Sequence, residues 1–136
     1  MNIVAIVQAR MNSTRLPAKV MKKVGTTHLI ELMIRRIVKA QTISSVVVAT
    51  STSSKDQQIV DFISSIGFQV VTGSESDVLN RYLMCALKVK ADVIVRLTAD
   101  CPLIDPQIID EVVNKFIEEG VEYASNVNPR TFPDGL

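Results

Sequence analysis

The first 24 residues contain no glycine, and the chain of 136 residues holds only five. Neither G-x-x-x-x-G-K-[ST] nor G-x-G-x-x-G occurs, which excludes the Walker A loop and the dinucleotide-binding turn. Cysteine is scarcer still. Cys85 and Cys101 form no C-x-x-C pair and have no metal-ligand spacing, so they read as free thiols of a reducing compartment. His28 is the single histidine, with no Ser, Cys or Asp constellation around it, and gives no sign of general acid–base work. Fifteen basic residues against fourteen acidic ones leave a net charge of +1, without the global basic footprint of a nucleic-acid-binding protein. No apolar run approaches the roughly 20 residues of a membrane span. Met1 to Ala9 is apolar but lacks a basic start and runs straight into Arg10, which makes it a poor secretory leader. The expectation is a cytoplasmic protein with neither a membrane nor a nucleic-acid partner.

What is present is a regular alternation. The length corresponds to one domain, residues 1–136, able to bury about two-thirds of its unfolded surface. Ile3–Val7, Val46–Ala49, Phe68–Val71 and Val93–Leu97 are short runs rich in β-branched residues, the pattern of strands buried on both faces of a parallel sheet. Helical spacing links Leu29, Leu32, Met33, Arg36, Ile37 and Ala40, and then Ile59, Phe62, Ile63 and Ile66, closed by Gly67. Ser54-Lys55-Asp56-Gln57 reads as a capping box for that second helix. A third helix, capped by Ser74 or Ser76, would turn Val78, Leu79, Tyr82, Leu83, Ala86 and Leu87 to the core. Asp105-Pro106 opens a fourth, with Ile108, Ile109, Val112, Val113, Phe116 and Ile117 on its apolar face and Gly120 at its end. A short fifth strand is expected around Tyr123–Asn126. This order predicts an α/β sandwich with right-handed crossovers. The turn-rich Asn126 to Leu136 reads as the approach to another element, so the domain is expected to be truncated at its C-terminal end.

In such sheets ligands bind beyond the carboxyl ends of the strands. The segment after the first strand, Gln8 to Lys19, carries three cations (Arg10, Arg15, Lys19), two hydroxyls (Ser13, Thr14) and no acid. A solvated basic loop has this composition, and so does a cradle for a polyanion such as a triphosphate, in which Arg forks phosphate oxygens and Lys acts as a point charge. A receiver domain would need acids where this chain has Gln8 and Arg10. After the second strand, Thr50 to Ser54 form either a polar rim for a base or ribose or only a helix start. After the fourth, Asp100 is placed either to hold Mg²⁺, a hard ion that prefers oxygen, or simply to serve a turn. Asp105 is most simply an N-cap. Arg81 lies beside a core face, where a solvated side chain is the plain alternative. Arg96 lies inside a strand pattern and needs a partner.

Four ordered blocks carry a resemblance: residues 8–19, Val48-Ala49-Thr50-Ser51-Thr52, the run from Gly73 to Tyr82, and the run from Val95 to Asp105. They resemble the signatures of the cytidylyltransferases that make CMP-activated acidic sugars, such as CMP-KDO and CMP-sialic acid synthetases. The branch most similar is the one named for spore coat polysaccharide biosynthesis protein F. The resemblance implies a nucleotide-diphospho-sugar transferase-like (Rossmann-like) three-layer sandwich with a mostly parallel sheet. It implies Mg²⁺-dependent transfer of CMP from CTP to a sugar acid with release of pyrophosphate, in surface polysaccharide biosynthesis. A nucleotide-binding fragment without turnover is the alternative. By matching position, Arg10, Ser13, Arg15 and Lys19 would hold the triphosphate; Ala9, Ala49 and Thr50 would line the nucleotide site; Arg81 would reach nucleotide or sugar; and Asp100 would bind the metal. The family usually has glycine where this chain has Asn12, and often where it has Ala18. Asn tolerates positive φ, and Ala18 would be a mild change at negative φ. Relatives extend well past Leu136, and the resemblance assigns a second acidic metal ligand, sugar contacts and much of a homodimer interface to that extension.

Overall fold

A computed structural model describes residues 1–12 and 14–136. Four strands, β1 (Ile3–Gln8), β4 (Ser45–Ser51), β5 (Gln69–Gly73) and β6 (Val93–Thr98), form one sheet in the order β5-β4-β1-β6. Every pairing in it is parallel. Two short strands, β2 (Lys23–Val24) and β3 (Thr27–His28), make a separate antiparallel hairpin around Gly25, whose φ is +62°. The alternation of strands and helices gave no hint of this hairpin.

Three helices cover one face of the sheet: α1 (Leu29–Ile37), α2 (Gln57–Ser65) and α4 (Pro106–Glu119). They bury Ile30, Met33, Ile34, Ile37, Ile59, Ile63, Ile109 and Val113 against Ala5, Val7 and Val48. The fourth helix, α3 (Val78–Val89), covers the other face and packs Tyr82, Cys85 and Ala86 on Val4, Ile6, Val47 and Val71. Burial on both faces explains why β1 and β4 read as unbroken apolar runs rather than alternating ones. The result is the expected three-layer α/β sandwich. Among the described residues, no helix is long and apolar enough to cross a membrane.

The helix ends follow local chemistry. Asp105 caps α4 by accepting from the Gln107 amide at 2.8 Å, with Pro106 in the first turn and Gly120 left-handed at the end. Gly67, at φ +83°, ends α2 as expected. Two expected caps are corrected. Asp77, not Ser74 or Ser76, caps α3 by accepting from the Asn80 amide at 2.9 Å, while the Ser74 hydroxyl accepts from the Asp77 amide. Residues 54–56 form a 3-10 turn rather than a capping box, and the Asp56 side chain makes no capping bond to α2.

The core face of α3 differs most from expectation. Arg81, Tyr82, Cys85 and Ala86 are buried, whereas Leu79 and Leu87 are 81% and 63% exposed and Leu83 also faces outward. The helix is apolar on several sides, so periodicity alone does not fix its rotation. In α1 the face is likewise shifted, to Ile30, Met33, Ile34 and Ile37. Residues 123–126 form no strand. That segment is largely exposed and has no ladder partner, and only an isolated bridge, Val127 to Arg130, follows it. Pairing and burial, rather than residue preference, decide whether a strand forms.

Candidate functional site

The chain runs from β1 outward to β4 and β5, then returns to the other side of β1 as β6. The switch point therefore lies between β1 and β6, and the crevice opens at their carboxyl ends. Ladder-type bonds continue into the flanking loops and fix where they start. The Ala9 amide donates to the Ala49 carbonyl at 3.0 Å, and the Ala99 amide to the Gln8 carbonyl at 2.9 Å. Ala9, Ala49, Thr50 and Ala99 are all buried at this end.

The loop after β1 leaves the sheet at Ala9 and closes on itself. The Met11 carbonyl accepts from the Ala18 amide at 3.0 Å, and Ala18 opens the 3-10 turn Lys19–Met21. Ala18 has φ 55°. Among the described residues of the loop the left-handed one is Ala18 and not Asn12, so alanine at 18 is not the mild departure that a negative φ would have made it. A left-handed conformation costs a residue with a Cβ on the order of 1–2 kcal/mol.

Around this loop the expected site residues come together from distant positions. Lys19 Nζ lies 3.0 Å from Asp100 Oδ2. Arg10 Nη2 lies 3.2 Å from Glu75 Oε1, in the loop between β5 and α3. Arg15 is exposed and has no ion pair among the described residues. Ser13 lies outside the described residues.

Arg81 is not the solvated side chain that its place on the helix allowed. It is fully buried, and its Nη1 donates to the Ser74 carbonyl. Its Nε and Nη2 have no partner among the described residues, and the same holds for Arg10 Nε and Thr50 Oγ1. Burial, and then the charge of Arg10, hold the Arg81 pKa below its ordinary value. The space for this side chain depends on Gly73, where a Cβ would come within 3.1 Å of Arg81 Cγ. Arg96 finds the partner it needed, with its guanidinium carbon 5.4 Å from the centre of the Tyr82 ring.

Asp100 carries the chemistry expected of a partial site for a hard cation. The Thr98 hydroxyl and the Lys19 ammonium hold its carboxyl below the ordinary range, against the opposing effect of burial, so it is an anion at neutral pH. No group of three His, Cys, Asp or Glu side chains gathers there among the described residues. One carboxylate suits Mg²⁺, which commonly takes one or two carboxylates and fills its remaining positions with water and phosphate oxygens. Cys101 borders the site, and burial raises its thiol pKa. Cys85, deep under α3, is pushed up to about 11 by burial and is inert in comparison.

One residue of this region was missed. Asp56, read as part of a capping box, is 2% exposed and turns its carboxylate toward the site. It accepts from the Met11 amide at 2.8 Å and from the amide and hydroxyl of Ser51. The one sequence signal was an acid placed a few residues beyond a strand's carboxyl end.

The geometry defines an α/β domain with a cationic, donor-rich crevice at its switch point, and comparison with known proteins gives the class its name. The cytidylyltransferase family profile matches residues 4–133, and the chain belongs to that family. It is 34% identical over 131 residues to spore coat polysaccharide biosynthesis protein SpsF of Bacillus subtilis, covering 93% of this chain and 55% of that protein. It is 33% identical over 119 residues to 3-deoxy-manno-octulosonate cytidylyltransferase of Trichlorobacter lovleyi, covering 86% and 46%. A solved cytidylyltransferase from Leptospira borgpetersenii superposes with a TM-score of 0.82 at 38% identity, covering 87% of this chain and 50% of that one. The chain spans about half the length of the relatives it matches.

Proposed function

We propose that this chain is the nucleotide-binding domain of an Mg²⁺-dependent cytidylyltransferase, which transfers CMP from CTP to an acidic sugar and releases pyrophosphate. The observation that carries the reading is the set of buried donors that find no partner among the described residues, Arg10 Nε, Arg81 Nε and Nη2, and Thr50 Oγ1, together with the Lys19–Asp100 pair. Each unmet buried donor costs about 1–3 kcal/mol, and several in one crevice point to a ligand rich in acceptors. A nucleoside triphosphate brings phosphate, ribose and base oxygens.

In the proposed reaction a sugar hydroxyl attacks the α-phosphorus of CTP in line. The new P–O bond forms as the bond to pyrophosphate breaks, and the hydroxyl proton is lost. The protein's contribution is placement and fixed charge, which needs no protein nucleophile. Arg10, Arg15 and Lys19 would hold the phosphates, together with Ser13. Ala9, Ala49 and Thr50 line the buried end near the base and ribose. Arg81, packed closely on Gly73, would direct to ligand oxygens the two nitrogens that have no partner among the described residues. Asp100 would hold Mg²⁺, which supplies positive charge to the triphosphate and the departing pyrophosphate.

Similarity to the spore coat protein and to the 3-deoxy-manno-octulosonate enzymes supports a sugar acid as acceptor and surface polysaccharide biosynthesis as the setting. In the same reading the protein is cytoplasmic, and the complete enzyme is a homodimer. The test is pyrophosphate release with CTP, Mg²⁺ and 3-deoxy-manno-octulosonate or sialic acid. Release that needs both substrates supports transfer. CTP binding without release with any sugar acid favours the second reading, a nucleotide-binding module without turnover.

A further inference from the structure

Asp56 is the single buried acid among the described residues, and its contacts do not serve its own helix. Its two oxygens face different elements. Oδ1 takes the Met11 amide of the loop after β1, and Oδ2 takes the amide and hydroxyl of Ser51, the last residue of β4. The Ser51 hydroxyl in turn accepts from the Ser53 amide at 3.1 Å. Met11 is held from both sides, since its carbonyl accepts from the Ala18 amide and closes the loop over residues 11–18. One carboxylate therefore ties the base of the cationic loop to the end of the neighbouring strand. It also lies close enough to Arg81 to favour that residue's charged form, against burial and the repulsion of Arg10.

From this geometry we infer that Asp56 is a positioning residue for nucleotide binding. It fixes the Met11 amide so that Arg10, Arg15 and Lys19 are presented in one arrangement before ligand arrives. This role rests on the nucleotide-binding reading of the crevice. A loop that must be ordered during binding binds less tightly than one already in place. Loss of a buried, charged acceptor that holds such a loop is large enough to lower affinity tenfold or more.

The test compares Asp56→Ala and the isosteric Asp56→Asn with Asp110→Asn. Asp110 ties α4 to residues 41 and 42, ahead of the amino end of β4, so its variant reports destabilisation without a loop effect. CTP affinity in the presence of Mg²⁺ is measured by calorimetry below the melting transition of every variant, with amide exchange at Met11 followed in parallel. The expected result is a CTP Kd raised at least tenfold in Asp56→Ala and to a smaller extent in Asp56→Asn, with faster Met11 exchange in both. Asp110→Asn lowers Tm and leaves Kd within twofold. A merely structural Asp56 would reduce the fraction of competent protein and leave Kd and Met11 protection unchanged, which overturns the inference. If Asp56→Ala does not fold, Asp56→Asn decides by the same readouts. Wild-type protein that binds no CTP overturns the nucleotide reading itself, and this inference with it.

Discussion

Lys19 and Asp100 are 81 positions apart in sequence, yet Lys19 Nζ rests 3.0 Å from Asp100 Oδ2 across the mouth of the crevice. Their side chains are 27% and 42% exposed. A pair so open to water is worth no more than about 1 kcal/mol, so it can be exchanged readily for stronger partners. A triphosphate offers Lys19 several oxygens, and a divalent cation offers Asp100 a higher charge. The pair is the resting contact of two groups whose proposed partners arrive together.

Removing the loop's charge should weaken nucleotide binding without unfolding the protein. Arg15→Ala and Lys19→Ala are each expected to raise the CTP Kd about tenfold or more, the size of a lost charge-assisted hydrogen bond. Their Tm should stay near wild type, because Arg15 is exposed and the Lys19 ammonium makes only the open pair among the described residues. Calorimetric titration and a thermal melt on each variant check this. Unchanged affinity in both would remove the loop from the binding site.

Asp100→Ala should separate CTP binding from the metal. Wild-type affinity is expected to strengthen when Mg²⁺ is added, and the variant's affinity to be the same with and without it. Equal Mg²⁺ dependence in the two proteins would exclude Asp100 as the ligand.

Ala18→Gly should stabilise the chain. The left-handed backbone at φ 55° is unfavourable for alanine and open to glycine. The expected gain is about 1 kcal/mol, which corresponds to a rise in Tm of roughly 4 °C for a domain of this size. Thermal denaturation measures it. A fall in Tm would mean that the entropy glycine adds to the unfolded chain outweighs the relief.

Acid should weaken the tie between α4 and the segment leading into β4 in a defined direction. Burial alone would raise the Asp110 carboxyl, but the Thr42 hydroxyl and the amides of Gln41 and Thr42 hold it below the ordinary range. A folded-state value below the unfolded one contributes stability above the usual aspartate pKa of about 4, and that contribution is lost as pH falls through the folded value. Asp110→Asn should therefore have a lower Tm than wild type at pH 6, and the gap should narrow as pH approaches 3. A gap constant with pH would show that the carboxylate's charge is not the source.

The fold was readable where burial on both faces left a plain mark. Unbroken apolar runs marked β1 and β4, while β5 and β6, interrupted by Gln69 and Arg96, were legible from their β-branched residues although neither is buried on both faces; a cationic segment after the first strand marked the proposed crevice. What stayed hidden depended on contacts between elements. The rotation of α3 is set by Arg81 lying on Gly73 and by Tyr82 reaching the Leu97 carbonyl at 3.0 Å, and neither leaves a period in the sequence. The burial of Arg81 was masked by its place in a helix where arginine is usually solvated. Asp56 looked like a cap because its spacing suits one, and its actual partners, Met11 and Ser51, come from two other elements. The strain at Ala18 is a dihedral property, which residue type hints at but cannot assign.

The proposed crevice is built for CTP. Its most direct test is calorimetric titration of the protein with CTP, ATP, GTP and UTP, each with and without Mg²⁺. Saturable binding that is strongest for CTP and tightened by Mg²⁺ is the expected result. Equal affinity for all four nucleotides, or none for any, would contradict it.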